Sequence, residues 1–192
     1  YQALYNNTTG LGNTAMGYLS QSNNTTGSYN TSYGSFSMRI NSTGTQNSAF
    51  GQAALQNNQT GNDNTAIGMQ ALYNNQTGAS NTALGFYALR NGTAGSSNTA
   101  IGRDALSANT ASNNTAVGFQ AGYSNTSGNI DAFGYQALLS NTTGSNNTAI
   151  GYKSQSAVTT GSFNVSIGYN SMETARSSSN IAIGHETLKI AS

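Results

Sequence analysis

One histidine, five carboxylates and no cysteine are what this 192-residue chain offers to catalysis or metal binding. The histidine is His185; the acids are Asp63, Asp104, Asp131, Glu173 and Glu186. Hydrolysis by paired carboxylates needs two of them held roughly 5–10 Å apart, and a metal centre needs several ligands converging on one point. Here the acids fall in different segments with different neighbours, so no pair is evident. Asp104 directly follows Arg103, which predicts a local solvated charge pair. His185 takes the place of an aromatic residue and reads as a surface or ladder residue. Glycine is abundant, but no phosphate-binding loop with its lysine follows any of it. The expectation is a chain that is not an enzyme and holds no cofactor and no metal.

The composition points the same way. Charged residues are 6%, against roughly 25% in a typical soluble protein, and the net charge is +1. Nucleic acid binding needs lysine and arginine to neutralise phosphates, so that class is excluded. Low hydrophobicity often signals disorder, but disorder usually comes with proline and high net charge. This chain has no proline, and its polarity is amide and hydroxyl. Such side chains stack in ladders without charge repulsion. No run approaches the 18 or so apolar residues of a membrane-spanning helix. The chain starts at Tyr1 in the middle of a repeat and is expected to be a fragment of a longer fibre.

The elements that carry these residues are set by a repeat. The pattern Asn-Thr-Ala-Φ-Gly, with Φ apolar, recurs eleven times and ends at Gly17, Gly34, Gly51, Gly68, Gly85, Gly102, Gly118, Gly134, Gly151, Gly168 and Gly184. The spacing is 16 or 17 residues throughout. Position 1 is Asn in ten of the eleven, with Ile130 the exception. Position 2 is mostly Thr, position 3 Ala or Ser, position 4 large and apolar, position 5 Gly, position 6 often aromatic, position 8 small and position 9 often Leu. A polar turn such as Asn74-Asn75-Gln76-Thr77-Gly78 follows. Seventeen residues are too few for a paired-helix repeat, and Gly and Asn in every turn oppose helix. The repeat predicts two short strands per coil, at positions 1–4 and about 6–9, stacked in parallel ladders about 4.8 Å apart. Residues 1–192 then form a single all-β, parallel β-solenoid of about eleven coils. The last turns drift in composition, to Ala157-Val158-Thr159-Thr160 and Thr174-Ala175-Arg176-Ser177, as at the approach to a solenoid end.

Side chains alternate along a strand, so positions 2 and 4 face one way and 1, 3 and 5 the other. Placing the larger residues inside makes Met16, Tyr33, Phe50, Ile67, Leu84, Ile101, Val117, Phe133, Ile150, Ile167 and Ile183 the coil core. The small residues Ala15, Ala49, Ala66, Ala83, Ala100, Ala116, Ala132, Ala149 and Ala182 then form a flat outer packing face. Alanine is a poor strand former on an exposed surface, so a second backbone is expected against it. The Thr column, with Val165 and Ile181 in it, falls inside on this scheme; outside, a flat Thr row would suit ice. The sequons at Asn7, Asn24, Asn41, Asn58, Asn75, Asn125 and Asn141 come in register. They read either as an exposed glycosylation row or simply as good turn formers. The position-6 aromatics either stack on sugars or pack between coils.

The segment Ala66-Ile67-Gly68-Met69-Gln70-Ala71 resembles the head repeats of trimeric autotransporter adhesins of the YadA type. The fuller form Asn147-Thr148-Ala149-Ile150-Gly151-Tyr152 also looks like repeats in phage tail-fibre proteins and large bacterial surface proteins. The resemblance covers essentially the whole chain. It implies a left-handed β-roll and a side-by-side homotrimer, placed outside the cell on a cell surface or virion tail. The 16–17-residue period exceeds the shorter repeat usual in adhesin heads, so the turn is longer here. The expected role is a structural shaft or head segment of an extracellular fibre that projects or contributes to attachment. Its partners would be copies of itself and host surface glycans or a receptor. The alternatives are a monomeric solenoid that binds ice or carbohydrate, and a subunit of an end-to-end filament. A polysaccharide-cleaving solenoid would need clustered acids.

Overall fold

The computed structural model describes residues 1–174 and 177–188. Ala175 and Arg176 of the drifting turn, and residues 189–192 at the end of the expected domain, lie outside them. The described chain is an all-β parallel solenoid. Its strands are β1 (Thr14–Met16), β2 (Thr31–Tyr33), β3 (Ser48–Phe50), β4 (Thr65–Ile67), β5 (Thr82–Leu84), β6 (Thr99–Ile101), β7 (Thr115–Val117), β8 (Ile130–Phe133), β9 (Asn147–Ile150), β10 (Val165–Ile167) and β11 (Ile181–Ile183). They form one sheet in chain order. Each strand pairs in parallel with the next, with like repeat positions opposite one another: Ala66 faces Ala83 and Ile67 faces Leu84. No helix, and so none long and apolar enough to cross a membrane, occurs among the described residues.

The expected second strand is instead a run of turns. Position 7 and position 9 both take the left-handed conformation, as in Gln70 (φ 54°) and Leu72 (φ 51°). The reason lies in two neighbouring side chains. Ala71 and Leu72 are both fully buried, and consecutive residues of a strand cannot point to the same side. A left-handed residue at position 9 brings the leucine back inside. That backbone costs roughly 1–2 kcal/mol per residue. Burying the leucine returns about 1.5–3 kcal/mol, and the Leu72 N–H donates to the Ala88 carbonyl of the next coil at 3.0 Å.

The first strand's two faces are the reverse of the sequence expectation. Ala49, Ala66, Ala83, Ala100, Ala116, Ala132 and Ala149 are fully buried within their own chain; Ala182 is buried and Ala15 half-buried. The large residues of position 4 point outward. The coil is thin, and a methyl at position 3 is what fits opposite the inward Leu at position 9. Position 1 shares the parity of position 3, and its asparagines are also inside: Asn47 is fully buried. The core is therefore Ala, Leu and Asn together.

Two asparagine ladders run along this core. In the first, Asn47 Nδ2 donates to Asn30 Oδ1 at 3.1 Å and to the Gly61 carbonyl at 2.9 Å, and Asn64, Asn81 and Asn98 repeat the pattern. In the second, Asn58 Nδ2 donates to Asn41 Oδ1 at 2.7 Å and to the Gly61 carbonyl at 2.9 Å. Buried amides need such partners. The second ladder breaks at Gly92, which replaces an Asn, and Asn75 Oδ1 is left without a partner.

Glycine at position 5 is required twice over. Gly68 has φ 128°, and a Cβ there would lie 2.6 Å from the Gly85 carbonyl oxygen. The backbones of successive coils touch at this column.

Candidate interaction face

Position 4 builds an apolar outer surface. Tyr33, Phe50, Ile67, Leu84, Phe133, Ile150 and Ile167 are 36–42% exposed, and Met16 and Ile183 are more so. Ile101 and Val117 are half-buried. Each side chain rests on the same position one coil away, as the stacked rings of Tyr33 and Phe50 show, with centroids 5.2 Å apart. Beside this column, also facing out, stands the Thr column. Thr31, Thr65, Thr99, Thr115 and Thr148 are half-buried and Thr82 exposed. The coil-core assignment of Met16, Phe50, Ile67, Leu84, Ile101, Val117, Phe133, Ile150, Ile167 and Ile183 is therefore corrected, as is the inward placement of threonine. Strand alternation linked positions 2 and 4 correctly but did not say which side was the interior. The Ala face is corrected with it, because those methyls have no free surface to offer a second chain.

A second column, at position 6, is aromatic. Phe119, Tyr135, Tyr152, Tyr169 and His185 form a continuous stack with centroids 5.0–5.2 Å apart and planes within 13° of parallel. Arg103 extends it, with its guanidinium 5.2 Å from the Phe86 ring and 5.9 Å from that of Phe119. Ring faces inside the stack are spent on neighbouring rings. They present edges, so the column cannot lay flat faces on a sugar. The lone histidine is a member of this ladder.

Asp104 accepts from Arg103 Nε at 3.3 Å, the pair expected from their adjacency, but Asp104 is buried rather than solvated. Among the described residues no group of three or more His, Cys, Asp or Glu could hold a metal ion.

The glycosylation row is corrected. Asn24, Asn41, Asn58, Asn75, Asn125 and Asn141 are buried, with their Nδ2 groups donating inside the second ladder. Asn7 is half-buried and donates to the Gly10 carbonyl at 2.9 Å. The turn asparagines are hooks, and the preceding member of the Asn pair is the more accessible one, exposed at Asn6 and Asn23 and half-buried at Asn57 and Asn74.

Comparison with known proteins finds no matching family model, no matching curated protein and no matching solved structure.

Proposed function

We propose that the chain is a shaft or head segment of an extracellular fibre in which three copies pack side by side through the position-4 column. Such a fibre belongs to a bacterial surface adhesin or a phage tail, where it projects or contributes to attachment. The observation that carries this is the outward apolar column, exposed at nine of the eleven strands and half-buried at Ile101 and Val117. Monomeric soluble proteins rarely leave contiguous apolar patches larger than a few hundred Å² in water.

The column also selects its occupant. It repeats with the rise of one coil, about 4.8 Å, and its residue sizes change from rung to rung. A surface with that rise and that order of sizes is another copy of the same chain. Copies in register place Tyr33 beside Tyr33 and Ile67 beside Ile67 at every level. No member of position 4 is charged. The number three and the left-handed coil come from the resemblance to adhesin heads.

Because the chain has no cysteine, single cysteines report the contact. Ile101→Cys should oxidise to disulfide-linked pairs of chains, while Ala100→Cys, buried inside its own coil, should stay reduced. The reverse pattern overturns the proposed face.

The outward Thr column favours a second reading, an ice-binding face. Ice binding needs a flat surface of even height, and Met16, Tyr33, Phe50, Leu84 and Val117 in the adjacent column differ too much in size. This reading predicts thermal hysteresis in freezing-point measurements; the fibre reading predicts none.

A further inference from the structure

The coil around β8 departs from the repeat in several ways at once. Ile130 is the one residue in its column that is not asparagine. Asp131 is the one charged residue in the eleven strands. Ten of the residues that precede position 1, from Gly12 to Ser179, have φ between 57° and 65°, and Asn129 is the one that does not. β8 and β9 have four residues, where the other strands have three. In a chain built of near-identical coils, departures gathered at one place mark a specific site.

They coincide with a surface concavity of about 220 Å³, lined by Asn113, Asn129, Asp131, Asn146, Asn147, Thr148 and the edge of Ile130. Most asparagines of this chain have their amides committed to ladders, as Asn147 does to the Gly161 carbonyl at 2.6 Å. The backbone N–H of Asn146 donates to the Asn129 carbonyl at 2.7 Å. The side chains of Asn113, Asn129, Asp131 and Asn146, all exposed, make no hydrogen bond to any described protein group. Four uncommitted polar side chains from successive coils therefore converge on one hollow.

We propose that this hollow is a binding site for one ring of a neutral sugar. Each hydroxyl of a sugar both donates and accepts. Three carboxamides, each with a donor pair and an acceptor, one acceptor-only carboxylate and the Thr148 hydroxyl supply both roles. An anion would meet the Asp131 carboxylate and no cation in the lining. A calcium ion takes six to eight oxygens, typically with several carboxylates, and only one is present. The volume suits a single ring, with any further units of a glycan lying outside. Asp131 and Thr148 stand in the Thr column, so the inference requires that copies meet through position 4 and leave this column open.

The test is saturation-transfer NMR on the full chain, in whatever assembly it forms. The probes are glucose, galactose, mannose, rhamnose and N-acetylglucosamine at millimolar concentrations. The wild type is compared with Asp131→Thr, which restores the residue found at Thr115 and Thr148 and so keeps the register, and with Asn146→Ala. At least one sugar should bind, with affinity falling tenfold or more in both variants and unchanged in Thr65→Val. No binding by any of the five sugars overturns the proposal, as does binding indifferent to Asp131→Thr, or a site that responds to calcium alone.

Discussion

Ile130 fills the space that a leucine would take at position 122. A Cβ built on Gly122 would lie 2.7 Å from Ile130 Cδ1 and 2.9 Å from Leu106 Cδ2. Gly122 stands in the leucine column between Leu106 and Leu138 and shares their left-handed backbone, with φ 59° against 50° and 52°. The asparagine ladder gives up one member to Ile130, and the leucine column gives up one in exchange. Gly122→Leu alone should overpack the coil and cost about 1–3 kcal/mol. Ile130→Asn alone should leave a void and cost about 2–5 kcal/mol. The double variant rebuilds the consensus coil and should lose clearly less than the two combined. Urea unfolding of all four proteins measures the coupling.

A matched polar patch replaces Ala and Leu in another coil. Gln21 is fully buried; its Nε2 donates to Ser32 Oγ at 2.8 Å and to the Thr14 carbonyl at 3.0 Å, while its Oε1 has no partner. Ser20 and Ser32 bond to each other beside it at 2.5 Å. Gln155, Ser154 and Ser166 form a related patch, with Ser154 Oγ 2.6 Å from Ser166 Oγ, Gln155 Nε2 donating to the Thr148 carbonyl at 3.3 Å and Ser166 Oγ donating to the Ser171 carbonyl at 2.9 Å. Removing both partners of a buried polar contact is often neutral or stabilising, whereas removing one is not. The triple variant Ser20→Ala, Gln21→Leu, Ser32→Ala should therefore raise stability by about 1–2 kcal/mol. Gln21→Leu alone, which leaves Ser32 only its bond to Ser20, should gain less. Thermal melting compares them.

The ladder asparagines carry more than their polarity suggests. Asn64 Oδ1 accepts from the Asn81 backbone N–H at 3.0 Å and from Asn81 Nδ2 at 3.1 Å, and its Nδ2 donates to the Gly78 carbonyl at 2.9 Å. Asn64→Ala orphans these groups in the core and should cost about 2–4 kcal/mol. Asn57 bonds to Asn74 Oδ1 near the surface, and Asn57→Ala should cost less than about 1 kcal/mol. Equal losses in urea unfolding would contradict this division.

The glycine column admits no side chain. Gly85 has φ 140°, and a Cβ there would sit 2.5 Å from the Gly102 carbonyl oxygen. Gly85→Ala should cost about 1–3 kcal/mol through the backbone alone, and more through the clash between coils. Circular dichroism melting should show a large drop.

Sequons offer a chemical readout of the same packing. Asn6, Asn23, Asn91, Asn113 and Asn146 also head Asn-x-Ser/Thr triplets, and they are exposed. Folded protein secreted from a glycosylating eukaryotic host should carry glycans only at these positions. Peptide mapping that found them on Asn58 or Asn75 would contradict the buried ladder.

The period, the parallel stacking, the in-register columns and the glycine bend could all be read from the sequence, because the repeat leaves few other solutions. The direction of each column could not. Alternation groups Ala66 with Asn64 and Thr65 with Ile67, yet size alone put Ile67 inside and Ala66 out. Two signals pointed the other way. Position 1 is asparagine almost as regularly as position 5 is glycine, which suits a buried amide ladder better than a solvated row. Ala71 and Leu72 are adjacent and both apolar in type, which no strand can bury together. Of the two readings of the sequons, the turn-former one fits: the amide that an exposed row would need is the hook that closes the turn. The hollow beside Asp131 showed in the sequence only as scattered irregularities, since the residues that line it come from successive coils.

The native mass in solution, by light scattering, tests the central claim most directly. Side-by-side packing through the position-4 column predicts three times 19.7 kDa for the wild type and a single chain for Ile67→Lys with Ile101→Lys. A wild type that runs as one chain would contradict it.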